Sequence, residues 1–361
     1  MPLEFLELHN LRIYESAQLS PDPHLNLISG ANASGKTTLL EAIHLLGTGR
    51  SFRTTQVEQL QRNTASDLRV LGQLRQNGDV SSVRLAFIHT ETGRRASING
   101  LEQRQVSGLA QYLPLQTISP DTHYEFQHSA KHRRGVLDWG LFHVEPEFPE
   151  LWGRYQRILQ QRNAALKHPG QSKARYVWDD DLVQVGEALN AKREDMTARL
   201  LSHYRACCQE LLDSRHKVDL VLDPGWDQKH DLVQNLRQDR ARDIARGFTH
   251  SGPHRADLQI ILDAQASRLG ASHGQYKILV IALRLAQIRF LVETRNRHCC
   301  LLIDDLAAEL DRDHRARLTR ALETLPVQIF VTATDASQIE REFWPSHKKF
   351  HVEQGVVTEQ P

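Results

Sequence analysis

Cysteine, net charge and long apolar runs are all scarce in this chain, and each scarcity excludes something. Only four cysteines occur in 361 residues, as the adjacent pairs Cys207-Cys208 and Cys299-Cys300. Neighbouring side chains on a strand or helix point apart, so neither pair suggests a disulfide framework or a metal site; a reduced, cytoplasmic protein is expected. No apolar run is long enough to span a bilayer, so no membrane partner is expected. The start, Met1-Pro2-Leu3-Glu4-Phe5, lacks the basic segment and apolar stretch of a secretory signal. The formal net charge is only +1 with histidines neutral. Bulk electrostatics therefore do not predict nucleic-acid binding, and any such contact must come from a local basic patch. An apolar content of 40% and a charged content of 25% leave an ordinary globular chain, enough for one large or two modest domains.

What is present begins with Leu25-Asn26-Leu27-Ile28-Ser29, a short apolar strand. Gly30-Ala31-Asn32-Ala33-Ser34-Gly35-Lys36-Thr37 follows and fits the P-loop pattern G-x-x-x-x-G-K-[ST] with nothing missing. Thr38 then opens a helix whose face shows in Leu39, Leu40, Ile43 and Leu46. Glycines let the backbone turn so that successive N–H groups point inward at phosphate oxygens, and the helix adds its positive dipole end. In that geometry Lys36 reaches the outer phosphates and the Thr37 hydroxyl ligates Mg²⁺.

Around this loop the chain alternates patterns. Residues 3–14 alternate like a strand and end in Asn10-Leu11-Arg12. Gly47-Thr48-Gly49-Arg50-Ser51-Phe52-Arg53 reads as a cationic loop or as a helix C-cap with solvated arginines. Residues 68–98 read as an antiparallel sheet punctuated by Asn77-Gly78, Thr92-Gly93 and Asn99-Gly100. Leu113 to Ile118 is a further strand, closed by Ser119-Pro120-Asp121. The run Lys131-His132-Arg133-Arg134 precedes a helix and is either a solvated face or a surface for a phosphate backbone. From about 150 to 213 helical spacing dominates, broken at His168-Pro169-Gly170, so that two long helices form an antiparallel arm.

The C-terminal third carries two more chemical stretches. Ala271-Ser272-His273-Gly274-Gln275 leads into a long apolar helix, and a polar Ser-x-Gly-Gln loop there is a second anion-binding surface or a plain helix cap. Cys299-Cys300-Leu301-Leu302-Ile303 reads as a buried strand delivering Asp304 and Asp305 to its carboxyl edge, where α/β sheets place catalytic groups. Asp304 is expected to hold Mg²⁺ and Asp305 to orient or deprotonate the attacking water. A parallel strand ending at Thr332 and a hairpin around Glu353-Gln354-Gly355 complete the chain.

This set of motifs resembles the ATP-binding-cassette head, and within it the RecF branch of the SMC/Rad50-like ATPases. The resemblance rests on Asn10-Leu11-Arg12, the P-loop with Leu40-Glu41-Ala42-Ile43, Arg50-Ser51-Phe52-Arg53, Arg133-Arg134 with Leu137-Asp138, Gly252-Pro253-His254-Arg255-Ala256-Asp257-Leu258, Gly274-Gln275 with Lys277, Ala282-Leu283-Arg284-Leu285-Ala286-Gln287, and Ile303-Asp304-Asp305. It implies an α/β fold: a P-loop mixed sheet with a flanking antiparallel β-subdomain, interrupted by a helical arm. The implied division is an N-terminal lobe at 1–145, an arm at 146–245 and a C-terminal lobe at 246–361. The implied cofactors are ATP and Mg²⁺. Gly30 to Thr38, Arg12, Ser272, Gly274 and Gln275 contact nucleotide, Thr37 and Asp304 the metal, and Lys36 and Asp305 carry the chemistry. Ser272 and Gly274 of a second copy close on the γ-phosphate, so ATP holds a twofold dimer together. The implied task is DNA repair and replication-fork recovery: a clamp on double-stranded DNA near single-strand junctions that loads RecA with RecR and RecO, released by weak ATP hydrolysis.

Several positions depart from the family pattern. Ala33 stands where glycine is usual, which is accommodated if the backbone there is not left-handed. Ala271 and His273 replace the usual leucine and arginine of the signature loop, Asp305 replaces a glutamate, and Thr332 replaces a histidine. No family glutamine is evident after Ile118; Gln116 or the Ser119–Asp121 turn is expected to serve. A chromosome-tethering ATPase of the SMC or Rad50 type needs a much longer heptad insertion. A transporter ATPase subunit needs a glutamate at Asp305, and a nucleotide-gated binding module needs no turnover at all.

Overall fold

The computed structural model describes residues 1–62, 65–75, 82–167, 176–212, 215–305, 310–335, 344 and 346–361, apart from the side chain of residue 269. The Asn77-Gly78 turn, the His168-Pro169-Gly170 break and Ala308-Glu309 lie outside the described residues. The chain forms two compact units, Met1–Thr122 with Leu291–Pro361, and His123–Phe290.

The first unit contains two sheets and the P-loop helix. One sheet has the order β2-β1-β4-β5-β6-β7 and is antiparallel throughout: β1 (Leu3–Leu11), β2 (Tyr14–Leu19), β4 (Asp67–Arg75), β5 (Ser82–Thr90), β6 (Gly93–Ile98) and β7 (Leu101–Glu102). The other has the order β15-β14-β3-β13-β12-β8, formed by β3 (Leu25–Ser29), β8 (Leu115–Ile118), β12 (Cys299–Ile303), β13 (Val327–Ala333), β14 (His347–Glu353) and β15 (Val356–Gln360). Its pairings are parallel except the last hairpin, which makes it the mixed sheet expected of the P-loop lobe. β3, β12 and β13 are buried along their whole length, as strands covered on both faces must be.

Helix α1 (Lys36–Thr48) shares a core with both sheets. Leu39, Leu40, Ile43 and Leu46 join Leu6, Leu8, Val70 and Phe87 of the antiparallel sheet and Ile28, Leu302 and Phe330 of the mixed one. Buried Gln328 ties the layers by polar contacts: its amide donates to the carbonyls of Leu3 and Asp22, both at 2.8 Å, and its oxygen accepts the Leu3 N–H at 2.8 Å. A helix α10 (Arg312–Glu323), capped by the Asp311 side chain, precedes β13. The strand read over 3–14 is in fact the β1–β2 hairpin, because Arg12 turns the chain at φ 52°. Gly47 and Thr48 belong to α1, with Gly49 as its left-handed C-cap.

The second unit is mainly helical. It contains α2 (Thr122–His128), α3 (Ala130–Val144), α4 (Phe148–Leu166), α5 (Asp179–Leu211), α6 (Leu232–Gln238), α7 (Arg240–Arg246), α8 (Ser267–Gly270) and α9 (His273–Arg295), of which α2 and α9 run past its limits. A small antiparallel sheet, β11-β10-β9, uses β9 (Val218–Asp223), β10 (Asp257–Leu262) and β11 (Gln265–Ala266). The two long helices read from the spacing are α4 and α5, and α5 alone spans about 50 Å. The unit is pinned by internal ion pairs that spacing did not reveal. Arg162, fully buried, donates to Asp179 at 2.8 Å and to Asp243 at 2.7 Å. Arg193 forks onto Asp138 at 2.9 and 3.0 Å.

Candidate nucleotide-binding site

The P-loop leaves β3 at Ser29 and enters α1 at Lys36. Its two glycines are dictated by contact. Gly30 sits at φ 153°, and a Cβ there would lie 2.3 Å from the Val352 carbonyl oxygen. Gly35 sits at φ 115°, and a Cβ would lie 2.7 Å from Ile13 Cδ1 and from the Tyr14 hydroxyl. Ala33 is left-handed, at φ 63°. The condition set for alanine there, a backbone that is not left-handed, is not met: the loop demands the turn, and alanine adopts it at a cost of about 1–2 kcal/mol. Ala31, Asn32 and Ala33 are exposed, whereas Ser34 is buried and its hydroxyl has no hydrogen-bond partner among the described residues.

Lys36 is buried, and its Nζ donates to the carbonyls of Gly30 and Ala31, both at 2.8 Å. Burial lowers its pKa, opposed by the carboxylates of Asp305 and then Asp304. Asp304 leaves the end of β12 with its N–H donated to Ile118 across the sheet at 2.8 Å. One of its carboxylate oxygens accepts from the Thr37 hydroxyl at 2.9 Å and from the Thr332 hydroxyl at 2.7 Å. Burial raises the Asp304 pKa, and those two hydrogen bonds and the charge of Arg53 only partly offset it. Asp305 is left-handed, at φ 52°, and its N–H donates to the Thr332 hydroxyl at 2.8 Å.

The structure thus brings Lys36, Thr37, Asp304 and Asp305 together at the carboxyl edge of the mixed sheet. It adds Thr332, which the family resemblance marked only as a missing histidine. The Thr37 hydroxyl and the Asp304 carboxylate are an all-oxygen pair suited to a hard divalent cation. Among the described residues no group of three His, Cys, Asp or Glu side chains could hold a metal alone. A cation here needs phosphate or water for its remaining ligands, as Mg²⁺ does.

Arg12 is held from beneath. It forks onto Glu41 at 2.6 and 2.9 Å, and Glu41 is fully buried. Ser51 donates to the same carboxylate at 2.5 Å, and Arg53 lies 3.6 Å from it. The Arg50–Arg53 stretch is therefore partly an inward clamp. Of the glutamine alternatives, Gln116 is buried in the middle of β8, whereas the Ser119–Asp121 turn stands at that strand's carboxyl end.

Ser272, Gly274 and Gln275 lie in the second unit, at the start of α9. The Ser272 hydroxyl accepts the Gln275 N–H at 3.2 Å, and the Gln275 side-chain oxygen accepts the Ser272 N–H at 2.9 Å. This is a reciprocal capping box. Gly274 lies on its outer side, with nothing within 4 Å of where a Cβ would stand. Glycine in a helix costs about 1 kcal/mol relative to alanine, and no internal contact requires it here. His273 meets His123, their Nε2 atoms 3.1 Å apart. The basic run at 131–134 divides: Lys131 and His132 are exposed, whereas the two arginines make internal contacts. Arg133 is buried and forks onto Asp257 at 2.6 and 2.9 Å, while Arg134 donates to the Ala256 carbonyl at 2.6 Å.

A family model described as the RecF/RecN/SMC N terminal domain matches residues 2–357. Curated relatives named DNA replication and repair protein RecF include one from Thioalkalivibrio sulfidiphilus, 38% identical over 99% of each chain. Another, from Vibrio vulnificus, is 37% identical over 99% of each. A solved structure described as the recombination mediator protein RecF-ATP in the RecFOR pathway has a TM-score of 0.89 at 24% identity, covering 100% of this chain and 98% of that one. An Smc head bound to the C-winged helix domain of ScpA has a TM-score of 0.60 at 15% identity, covering 100% and 97%. The fold and its loops are those of an ABC-type ATPase head of the SMC class. Within that class, the chain belongs to the RecF family.

Proposed function

We propose that this chain is an ATP-gated DNA clamp in DNA replication and repair. The observation that carries the reading is the Thr37–Asp304 contact of 2.9 Å, which joins the end of the P-loop to the carboxylate strand. Lys36 exchanges the Gly30 and Ala31 carbonyls for the outer phosphates of ATP, one set of oxygen acceptors for another. Thr37 and Asp304 would hold the Mg²⁺ that accompanies the nucleotide. The bound ion supplies positive charge that stabilises the transferring phosphoryl group. Asp305, kept in its left-handed turn by Thr332, faces the attacking water as acceptor of its proton.

The second half of the reading concerns two copies. The capped α9 terminus, with Ser272 fixed and Gly274 open, offers backbone N–H groups to the γ-phosphate of a partner's ATP. ATP then shifts monomer to dimer by binding across both, and hydrolysis reverses the shift. We place the dimer on duplex DNA near single-strand gaps, acting with RecO and RecR in loading RecA. The RecF names of the full-length relatives and the RecFOR title of the structural neighbour support this reading. Lys36→Arg tests it: retained ATP binding, lost turnover and a long-lived DNA complex are expected. Normal phosphate release by that variant contradicts it.

A further inference from the structure

The cap of α9 is not self-contained, because the Gln275 side chain is held from outside by a histidine–carboxylate pair. His216 Nδ1 lies 2.7 Å from Asp263 Oδ2, and His216 Nε2 lies 3.4 Å from Gln275 Nε2. The Gln275 oxygen in turn accepts the Ser272 N–H at 2.9 Å. Asp263 is anchored independently. Its other carboxylate oxygen accepts the Lys217 N–H at 2.9 Å, and its own N–H donates to the Lys217 carbonyl at 2.8 Å, in the tight turn after β10.

The polarity of this chain is fixed at both ends. An ionised carboxylate only accepts, so His216 Nδ1 carries a proton, and in the neutral ring Nε2 is then the acceptor that the Gln275 NH₂ requires. A backbone N–H only donates, so the Gln275 oxygen must face Ser272 and its NH₂ must face His216. Each assignment demands the other. Breaking the His216 contact removes one of the two contacts that hold the Gln275 amide, and an overturned amide presents NH₂ to the Ser272 N–H, donor against donor.

We infer that His216 and Asp263 are positioning residues for the signature loop: they lock the Gln275 amide so that Ser272 and the start of α9 are held ready for a phosphate. This rests on the reading of that loop as the surface closing on a second copy's ATP. Neither residue belongs to the motifs that carried the resemblance, and His216 is separated from Gln275 by 59 positions.

The ring nitrogens allow a test by shape. An asparagine at 216 reproduces the donor to Asp263 but does not reach Gln275, whereas a glutamine reaches Gln275 with an acceptor oxygen. The full chain is compared as wild type, His216→Asn and His216→Gln, measuring ATP affinity at low protein concentration and the dimerisation midpoint in saturating ATP and Mg²⁺ by sedimentation. ATP affinity of the monomer is expected to be the same in all three, which also reports intact folding. The His216→Asn midpoint is expected to rise about fivefold to tenfold, the size of one lost hydrogen bond, with His216→Gln near wild type. A wild-type protein that dimerises with ATP, beside a His216→Asn variant that dimerises equally well, overturns the positioning role and leaves the clamp intact. Equal losses in both variants also overturn it, since they trace to the ring's bulk rather than to its contact with Gln275. A wild type that never dimerises overturns the clamp reading and this inference with it.

Discussion

The Thr332 hydroxyl donates to Asp304 at 2.7 Å and is fully buried beneath it. The same oxygen accepts the Asp305 N–H at 2.8 Å. One side chain on a neighbouring parallel strand therefore orients the Asp304 carboxylate and holds the next residue in its left-handed turn. Thr332→Val is expected to keep ATP binding while reducing turnover about tenfold or more, because a displaced catalytic group loses rate steeply. Thr332→Ser restores both hydrogen bonds and is expected to restore most of the rate. Steady-state phosphate release beside equilibrium nucleotide binding separates the two effects.

Burial holds Asp304 above the usual carboxylate range. A raised folded value means the native state binds more protons, so ionising Asp304 weakens the fold as pH rises through that window. Asp304→Asn is expected to stabilise the nucleotide-free protein by about 1 kcal/mol while abolishing turnover, the trade-off typical of functional sites. Thermal unfolding without and with ATP and Mg²⁺ reads this. A lower melting temperature for the nucleotide-free variant contradicts it.

His254 gives the opposite sign. Burial pushes its imidazole from the usual 6.5 down to about 4, with nearby Arg255 and Arg134 adding to the effect. The Tyr155 hydroxyl contacts Nδ1 at 2.7 Å, and Nε2 donates to the Thr249 carbonyl at 3.0 Å. The depressed value means stability is complete above about pH 6.5 and is lost as pH falls towards about 4. The loss across that window is roughly 3 kcal/mol for this one group. Urea unfolding at about pH 7 and about pH 4.5 is expected to show a smaller loss in His254→Gln than in wild type.

The P-loop, the strand delivering Asp304 and Asp305, the α9 start and the antiparallel sheet were all legible in the sequence. Each is specified locally, by a turn that needs glycine, a period of hydrophobicity or a cap. What was not legible depends on contacts distant in sequence. Glu41 stood out only as part of a family motif on α1, and nothing local said that it anchors Arg12 and Ser51. Arg133 read as solvated or phosphate-facing because its partner Asp257 lies 124 residues away. Arg162 sat beside an apolar stripe at helical spacing, and nothing local said that Asp179 and Asp243 would enclose it.

That enclosure is itself testable. Arg162→Met removes the buried cation shared by Asp243 and Asp179, leaving Asp179 with Arg240 at 3.5 Å, which is expected to destabilise the protein by about 3–5 kcal/mol. Arg162→Lys restores charge but not the fork and is expected to recover only part of that loss. Denaturant midpoints measure both.

The most direct test of the central claim is the mass of the full chain in solution. Light scattering is measured with no nucleotide, with ADP and with ATP, each with Mg²⁺ and with and without duplex DNA. One chain of 41.3 kDa is expected without nucleotide and with ADP, and two chains with ATP, most firmly on the duplex. A single-chain mass in saturating ATP and Mg²⁺ with duplex present contradicts the clamp.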